Sequence, residues 1–210
     1  MDPYKETFET WNKVAKLYQD KFMDLDLYDD TYDNFCEQIN KSNPTILEIG
    51  CGPGNITKYL LNKRPDFEIF AIDFSPNMIT MAKTNCPKAN FIVMDSRKID
   101  KLKTKFDAVV CGFCLPYLTE TDVEKLIYDS NTLLNDHGII YLSFMEGNYD
   151  KSGYRAAITG DRTYFYYHPL AHITNVLKAN SFEITYSTNK FYNKNKTEEM
   201  HTIIIAGKTN

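Results

Sequence analysis

The residues best suited to chemistry in this chain lie just after runs of apolar residues. The glycine-rich residues 50–54 follow the apolar run Thr45–Ile49, Asp73 follows a second run, and Asp95 and Ser96 follow a third. Alternate glycines allow a sharp backbone turn and the close approach of a ligand. A carboxylate at the position of Asp73 can accept hydrogen bonds from both hydroxyls of a ribose. This combination predicts a site for a nucleotide-like ligand.

The spacing of the glycines indicates which ligand to expect. A dinucleotide-binding turn has the pattern G-x-G-x-x-G or G-x-G-x-x-A. Residues 50–54 read G-x-G-x-G instead, and Asn55 stands where the third small residue would be. The pattern therefore disfavours an oxidoreductase that uses NAD. That class stays as an alternative, which tight binding of NAD(P)H would support.

The elements that must position these residues follow from the apolar pattern. Alternation of apolar runs with amphipathic segments over residues 45–145 predicts a parallel sheet with helices on both faces. Spacings of three and four predict helices before residue 40. Residues 182–190 and 200–206 predict a hairpin of strands. Ligands bind beyond the carboxyl ends of the strands in such a sheet, which is where Asp73 and Asp95 are expected.

Four segments resemble motifs of the class I S-adenosylmethionine-dependent methyltransferase family. Residues 46–57 (ILEIGCGPGNIT) are similar to its first motif and residues 69–78 (IFAIDFSPNM) to its second. Residues 90–96 (NFIVMDS) and 106–113 (FDAVVCGF) are similar to the third and fourth. The resemblance implies an α/β, Rossmann-like, doubly wound sheet of seven strands. The implied strand order is 3-2-1-4-5-7-6, with strand 7 antiparallel and N-terminal helices added.

The resemblance also implies a cofactor, S-adenosyl-L-methionine, with S-adenosyl-L-homocysteine as its product. The glycine turn is expected under the amino-acid tail, and Glu48 either orients that turn or accepts from the tail's ammonium group. Asp73 is expected to bind the ribose and Asp95 the adenine amino group, while Phe74 and Met78 either flank the adenine or belong to the core. The expected cofactor-binding residues are Tyr18, Glu48, Gly50, Cys51, Gly52, Asp73, Phe74, Met78, Asp95, Ser96, Cys111 and Phe113.

Two segments outside these motifs are expected on the acceptor side of the site. Residues 1–43 are predicted to form a helical lid, in which Tyr18 reaches the methionine tail, as the resemblance implies. Residues 146–168 are predicted to form an aromatic-rich insertion that holds a flat or cationic acceptor. Core packing for the first segment and an ordinary strand for the second are the alternatives.

The histidines offer few candidates for catalysis. A base is needed only when the acceptor must lose a proton during methyl transfer. His168 is the candidate, because it stands just before a predicted helix, although it can also simply cap that helix. His137 and His201 are expected to be structural. His168 and His172 lack a third ligand at metal-site spacing, so no metal is expected.

Composition excludes several classes of protein. The chain has 210 residues, a net charge of −4 and 43% apolar residues. A chain this apolar does not stay disordered, and its acidic balance gives no positive field to attract nucleic acid. No apolar run approaches the ~18 residues of a membrane span. Five cysteines at irregular spacing and no signal-peptide pattern favour reduced thiols in one cytoplasmic domain over residues 1–210.

The expected activity is in-line transfer of a methyl group to an oxygen, nitrogen or other nucleophile of a small-molecule acceptor. Residues 111–117 (CGFCLPY) lack the Asn/Asp-Pro-Pro-Tyr/Phe motif that family members use to methylate amino groups of nucleic acids. We therefore expect no nucleic acid as a partner, and the lack of a long apolar run predicts no membrane span. A non-catalytic protein that binds the cofactor and a protein or RNA methyltransferase are the alternatives, and the oligomeric state is left open.

Overall fold

The computed structural model describes residues 3–156, 160–194 and 197–209. The strands of the main sheet are β1 (Thr45–Ile49), β2 (Glu68–Asp73), β3 (Asn90–Val93), β4 (Phe106–Gly112), β5 (Leu134–Met145), β8 (Phe182–Lys194) and β9 (Thr197–Lys208). A separate hairpin consists of β6 (Gly153–Ala156) and β7 (Arg162–Phe165). The helices are α1 (Pro3–Lys13), α2 (Ala15–Phe22), α3 (Asp29–Glu37), α4 (Asn55–Lys63), α5 (Pro76–Asn85), α6 (Glu120–Leu133) and α7 (Leu170–Ala179).

The main sheet has the order β3-β2-β1-β4-β5-β9-β8. Strands β1 to β5 pair in parallel, whereas β9 runs antiparallel to both β5 and β8. Because β8 and β9 are the sixth and seventh strands of this sheet, the predicted order 3-2-1-4-5-7-6 and the predicted α/β fold class are confirmed. The amino end of β9 therefore lies at the same edge as the carboxyl ends of the parallel strands.

Helices cover both faces of the sheet, which explains why its central strand is apolar on both sides. Ile46 and Leu47 are both fully buried, yet neighbouring side chains of a strand point to opposite faces. Ile46 belongs to a core layer with Phe35 of α3, and Leu47 belongs to the opposite layer with Ile127 of α6. Within the described residues, no helix has both the length and the apolar character that crossing a membrane requires.

The N-terminal helices divide between the core and the site. Helix α3 packs on the sheet and buries Tyr32 and Phe35. Helices α1 and α2, which break at Val14, lie instead beside the carboxyl edge of the sheet, where they supply Phe8 and Tyr18 to the wall of a cavity. Helix α3 thus packs in the core, whereas α1 and α2 contribute side chains to the wall of the cavity.

Helix α1 is held by the edge of the β6–β7 hairpin. The hydroxyl of Thr10 donates to the carbonyl of Arg162 (2.7 Å), and the amide of Tyr164 donates to the hydroxyl of Thr7 (2.9 Å). Both threonines are buried. Arg162 and Tyr164 are two positions apart in β7, so the carbonyl of one and the amide of the other point to the same edge of that strand. Thr7 and Thr10 lie one turn apart on α1 and form hydrogen bonds with both groups of this edge. We call α1 together with this hairpin the roof.

Replacing both Thr7 and Thr10 with valine is expected to loosen the roof. The substitutions keep the side-chain shape but leave the Tyr164 amide without its acceptor, and each lost hydrogen bond costs about 1 kcal/mol net. Amide hydrogen exchange at Tyr164 should accelerate about tenfold or more, while exchange in β1 stays unchanged. Thr80→Val, on an exposed helix surface, is the control. Unchanged exchange at Tyr164 would contradict this account of the roof.

Candidate functional site

The glycine turn after β1 is fixed to the end of β2. The amides of Gly50 and Cys51 both donate to the carbonyl of Ile72, at 2.8 and 3.0 Å. Gly52 has a φ of 53°, a left-handed conformation that favours glycine. A Cβ atom added at Gly52 would lie 3.5 Å from Cε1 of Tyr18 on α2. The turn therefore faces Tyr18 across a gap that a side chain would enter.

Asp73 stands beside this turn with its carboxylate aimed at backbone donors. Its oxygens accept from the amides of Gly52 (3.0 Å) and Ser75 (2.8 Å). Burial raises the pKa of Asp73 to about 6, and the two amides act against that rise. The carboxylate is thus mostly ionised at neutral pH and, with two lone pairs on each oxygen, keeps acceptor capacity for a ligand hydroxyl.

Glu48 lies behind the glycine turn rather than in the cavity wall. Its side chain is buried, one carboxylate oxygen accepts from the hydroxyl of Thr57, and the other has no hydrogen-bond partner among the described residues. Burial raises the pKa of Glu48 to about 8. The neighbouring charge of Asp73 adds to that rise. Glu48 is therefore mostly protonated at neutral pH.

The raised pKa of Glu48 predicts that the free energy of unfolding falls as pH rises. The folded value of about 8 lies above the ordinary value of 4.5, so the stabilisation is complete below pH 4.5 and is lost as pH rises towards 8. As pH rises from 6 to 8, the preference of the folded state for protonated Glu48 weakens, which lowers the free energy of unfolding by about 2 kcal/mol. Denaturant titrations of the wild type and Glu48→Gln should differ by that amount in their pH dependence. Parallel curves would contradict the assignment.

A cavity of about 670 Å³ opens from the glycine turn. At one end its wall includes Phe74 and Ser96. The ring of Phe8, from the roof, stacks on Phe74 with 3.9 Å between ring centroids. At the other end the wall is aromatic and charged, and consists of Tyr28, Phe113, Met145, Arg155, Phe165, Tyr192, Glu199 and His201. We call this second end the acceptor end.

The cavity gathers most of the sequence-predicted residues. Those in its wall are Tyr18, Gly50, Gly52, Asp73, Phe74, Met78, Ser96 and Phe113. Four others stand behind the wall, namely Glu48, Cys51, Asp95 and Cys111. Arg97 pairs with Asp95 at 2.6 Å. Burial alone would raise the pKa of Asp95, but the hydrogen bonds from Arg97 outweigh it and hold that pKa below its usual range. Cys111 is fully buried in the core.

The histidine predicted from position stands outside the cavity wall. His168 is fully buried, its Nε2 atom lies 2.9 Å from the carbonyl of Leu115, and burial lowers its pKa. A ring nitrogen that donates to a carbonyl fixes a loop, so this contact gives His168 a structural role. His201, which was expected to be structural, lines the acceptor end. The signal was available, because the amino end of an antiparallel last strand meets the ligand edge.

Trp11 adds to the wall a donor that no group of the described residues uses. Its ring packs edge-on against Tyr18 and Tyr117, with centroids 5.5 and 5.4 Å away. The indole Nε1 atom is buried and has no hydrogen-bond partner among the described residues. A buried donor without a partner destabilises the protein, and a ligand that accepts a hydrogen bond from this donor would remove that penalty. No group of three or more histidine, cysteine, aspartate or glutamate side chains suited to a metal ion occurs in the described ranges.

The fold and the site define a class of protein, an α/β protein with a nucleotide-type pocket at the carboxyl edge of its sheet. Residues 46–138 match the family described as a methyltransferase domain. A solved structure of magnesium protoporphyrin IX methyltransferase from Synechocystis PCC 6803, with bound S-adenosylhomocysteine, has a similar fold. The TM-score is 0.75 over 99% of this chain and 100% of that one, at 16% sequence identity.

Two curated relatives are each 36% identical to parts of the chain. One is the putative methyltransferase 235L of Invertebrate iridescent virus 6, matched over 53% of this chain and 40% of the relative. The other is the tRNA N(3)-methylcytidine methyltransferase trm141 of Schizosaccharomyces pombe, matched over 38% of this chain and 32% of the relative. The chain thus spans less than half the length of either relative. The similarity to methyltransferases thus lies within residues 46–138, which contain the four motifs that predicted it.

Proposed function

We propose that this chain transfers a methyl group from S-adenosylmethionine to an oxygen or nitrogen atom of a small-molecule acceptor. The observation that carries the proposal is one continuous cavity that joins the Gly52–Asp73 pair to the acceptor end. The first part suits an adenosyl ligand with an amino-acid tail. The second part suits a flat acceptor beside it.

The residues present fit the methyl donor in three ways. Gly52 lines the cavity without a side chain, which lets a ligand approach the main chain closely. Asp73 is ionised near neutral pH and has acceptor capacity for ribose hydroxyls. Trp11 lines the same cavity, and its buried Nε1 donor, which has no partner among the described residues, suits a carboxylate such as that of the methionine tail. Phe8 and Phe74 add an apolar, aromatic surface for a planar base.

In this reaction the protein contributes mainly by positioning the acceptor and the methyl donor. When bound, the methyl donor supplies an already activated methyl group on a sulfonium. The chain's own residues align the acceptor in line with that group and keep water out. The roof suits the second purpose, since Phe8 of its helix and Phe165 of its hairpin line the cavity. Thr7 and Thr10 hold the helix and the hairpin together. We infer that residues 1–43 and 146–168 contribute to acceptor binding in this way, within one domain.

The charges around the cavity favour a small acceptor over a nucleic acid. Acidic residues in the wall outnumber basic ones and would repel phosphates. The acidic residues are Asp24, Asp26, Asp29, Asp73, Asp161 and Glu199, and the basic residues are Lys21, Lys58 and Arg155. One relative is a tRNA methyltransferase, so methylation of tRNA is the competing activity that an experiment has to distinguish.

Two measurements test the proposal. Calorimetry with S-adenosylhomocysteine should give saturable binding, whereas NADH should give none. Release of S-adenosylhomocysteine from S-adenosylmethionine is then measured with phenols, heteroaromatic N–H compounds and bulk tRNA as acceptors. Turnover with a small acceptor supports the proposal. Binding of NADH alone would overturn it, turnover with tRNA alone would move the chain to a nucleic-acid acceptor, and binding without turnover would favour a non-catalytic binding protein.

A further inference from the structure

The arginine of the acceptor end, Arg155, is braced by aromatic rings. Arg155 lies in β6, where its backbone pairs with Thr163 of β7, and both residues line the cavity. The guanidinium carbon lies 4.0 Å from the ring centroid of Phe165 and 5.1 Å from that of Tyr167. The two rings pack edge-on against each other, with centroids 5.3 Å apart. A guanidinium held in one orientation loses little conformational entropy when a ligand binds to it.

Most of the N–H donors of this guanidinium have no protein partner among the described residues. Of the five donors that an arginine carries, one on Nη2 donates to the hydroxyl of Tyr167, and one on Nη1 reaches a carboxylate oxygen of Glu199 at 3.4 Å. That distance exceeds the roughly 2.7–2.9 Å of a tight ion pair. The Glu199 carboxylate also lies 3.9 Å from Nε2 of His201, so two neighbours share it. The unused donors of Arg155 have the planar arrangement that matches a carboxylate.

Partial burial gives this arginine a further reason to bind an anion. Its side chain is 32% exposed, so the cation has lost part of its hydration. A nearby negative charge compensates such a loss, and Glu199 compensates it only in part because its contact is long. The ammonium of Lys21, 5.7 Å from the ring centroid of Tyr192, adds a second positive charge near the same end. A ligand with a single negative charge is therefore stabilised here, although the acidic wall as a whole disfavours a polyanion.

We propose that the acceptor is a planar molecule that carries a carboxylate, and that Arg155 binds this carboxylate. The proposal rests on the proposed function and names the class of its acceptor. The guanidinium donates two parallel N–H bonds to the carboxylate, while Phe113 and Tyr192 in the cavity wall provide aromatic faces for the planar part. Arg155 is thus a specificity-determining residue, which holds and orients the acceptor but takes no part in the transfer of the methyl group.

Two aspartates of the cavity wall favour a different acceptor, an amine. They are Asp26 and Asp29, on either side of the segment that contains Tyr28. Asp26 is exposed to solvent, and Asp29 lies in the first turn of α3, where the helix dipole favours a carboxylate. Water and the helix therefore already stabilise these two charges, whereas the partly buried Arg155 depends on a nearby anion. The arginine is thus expected to decide the charge of the acceptor.

Three probes of similar shape test the charge of the acceptor without any turnover. At neutral pH 4-hydroxybenzoate is an anion, 4-hydroxybenzamide is neutral and 4-hydroxybenzylamine is a cation. NMR titration measures the binding of each probe to protein saturated with S-adenosylhomocysteine. The wild type should bind the benzoate at least about tenfold more tightly than the benzamide, because charge-assisted hydrogen bonds are about twice as strong as neutral ones. Equal or tighter binding of the benzamide or the benzylamine would overturn the proposal, as would binding of no probe. Failure to bind S-adenosylhomocysteine would instead overturn the proposed function.

Substitutions of Arg155 test whether this residue causes the preference. Arg155→Gln should bring the affinities for the benzoate and the benzamide within about twofold of each other, with the affinity for S-adenosylhomocysteine unchanged within the same factor. Arg155→Lys, which keeps the charge and loses the planar group, should keep part of the preference. Lys151→Gln, which removes an exposed positive charge just before the hairpin, is the matched control and should behave as the wild type does. A preference that persists undiminished in Arg155→Gln would refute the assignment.

Discussion

Replacing Asp73 with alanine is expected to weaken the binding of S-adenosylhomocysteine at least tenfold. The substitution removes a buried charged acceptor beside the glycine turn, and a hydrogen bond to a charged group is worth about 1.5–3 kcal/mol. That range corresponds to a loss of roughly 10- to 150-fold in affinity. Calorimetry at pH 7.5 measures the change directly. Asp100→Ala, which removes an exposed carboxylate paired with Lys125, is the control and should bind as the wild type does.

The same carboxylate predicts how cofactor binding depends on pH. Because burial raises the pKa of Asp73 to about 6, the group is ionised above that pH and protonated below it. A protonated carboxyl is a poorer acceptor, so affinity should fall as pH drops from 7 to 5 in the wild type. Asp73→Ala should show no such fall. Equal affinity in the wild type and Asp73→Ala across this range would remove Asp73 from the binding site.

Gly52→Ala is the second substitution with a large expected effect on binding. The left-handed φ of 53° costs an alanine about 1 kcal/mol, so the protein should still fold. The added methyl group points towards Tyr18, into the gap that the ligand needs, and meets only ordinary contact distances there. We expect affinity for S-adenosylhomocysteine to fall at least tenfold, with a small decrease in the melting temperature.

Gly54→Ala separates backbone strain from obstruction. Gly54 has a φ of 87°, so alanine is strained there as well. Its added Cβ would meet Ala82 of α5 at 3.4 Å, and Gly54 is absent from the cavity wall. This variant should lose stability yet keep most of its affinity. If both variants lost affinity equally, strain in the turn would explain the effect, and the gap at Gly52 would have no special role.

The part of the fold that the sequence predicts best is the part whose signals are local. Strand β1 is a continuous apolar run, and the glycine turn follows it directly. Asp73 is the last residue of β2, and Asp95 follows shortly after the end of β3. Since parallel strands end at one edge, each local motif also fixes the place of its neighbours. The glycine turn, Asp73 and Asp95 could therefore be placed at one edge of the sheet before any contact was known, while the family resemblance implied the sheet order.

The roof and the acceptor end could not be predicted in this way, because they depend on contacts between distant parts of the chain. Thr7 and Thr10 carry no local signal of a partner, yet they satisfy the edge of a hairpin about 150 residues later. His201 appeared structural because it lies in a strand. The expected antiparallel direction of that strand places it at the ligand edge, but its contact with Tyr28 is visible only in the structure.

The surroundings of Asp95, which was expected to bind the adenine amino group, could not be predicted from the sequence either. Asp95 follows β3 as predicted, but Arg97, two residues further on, forms an ion pair with it. The guanidinium of Arg97 also stacks on Tyr4 of the roof at 3.9 Å. A motif gives the position of a carboxylate, whereas its partners depend on how the neighbouring side chains pack.

The most direct test of this account is a crystal structure of the protein with S-adenosylhomocysteine. We expect the carboxylate of Asp73 to accept hydrogen bonds from the ribose hydroxyls at about 2.6–3.0 Å. The homocysteine tail should lie between Gly52 and Tyr18, with the sulfur facing the acceptor end. A ligand whose ribose lies away from Asp73, or whose sulfur points away from Phe113 and His201, would contradict the account.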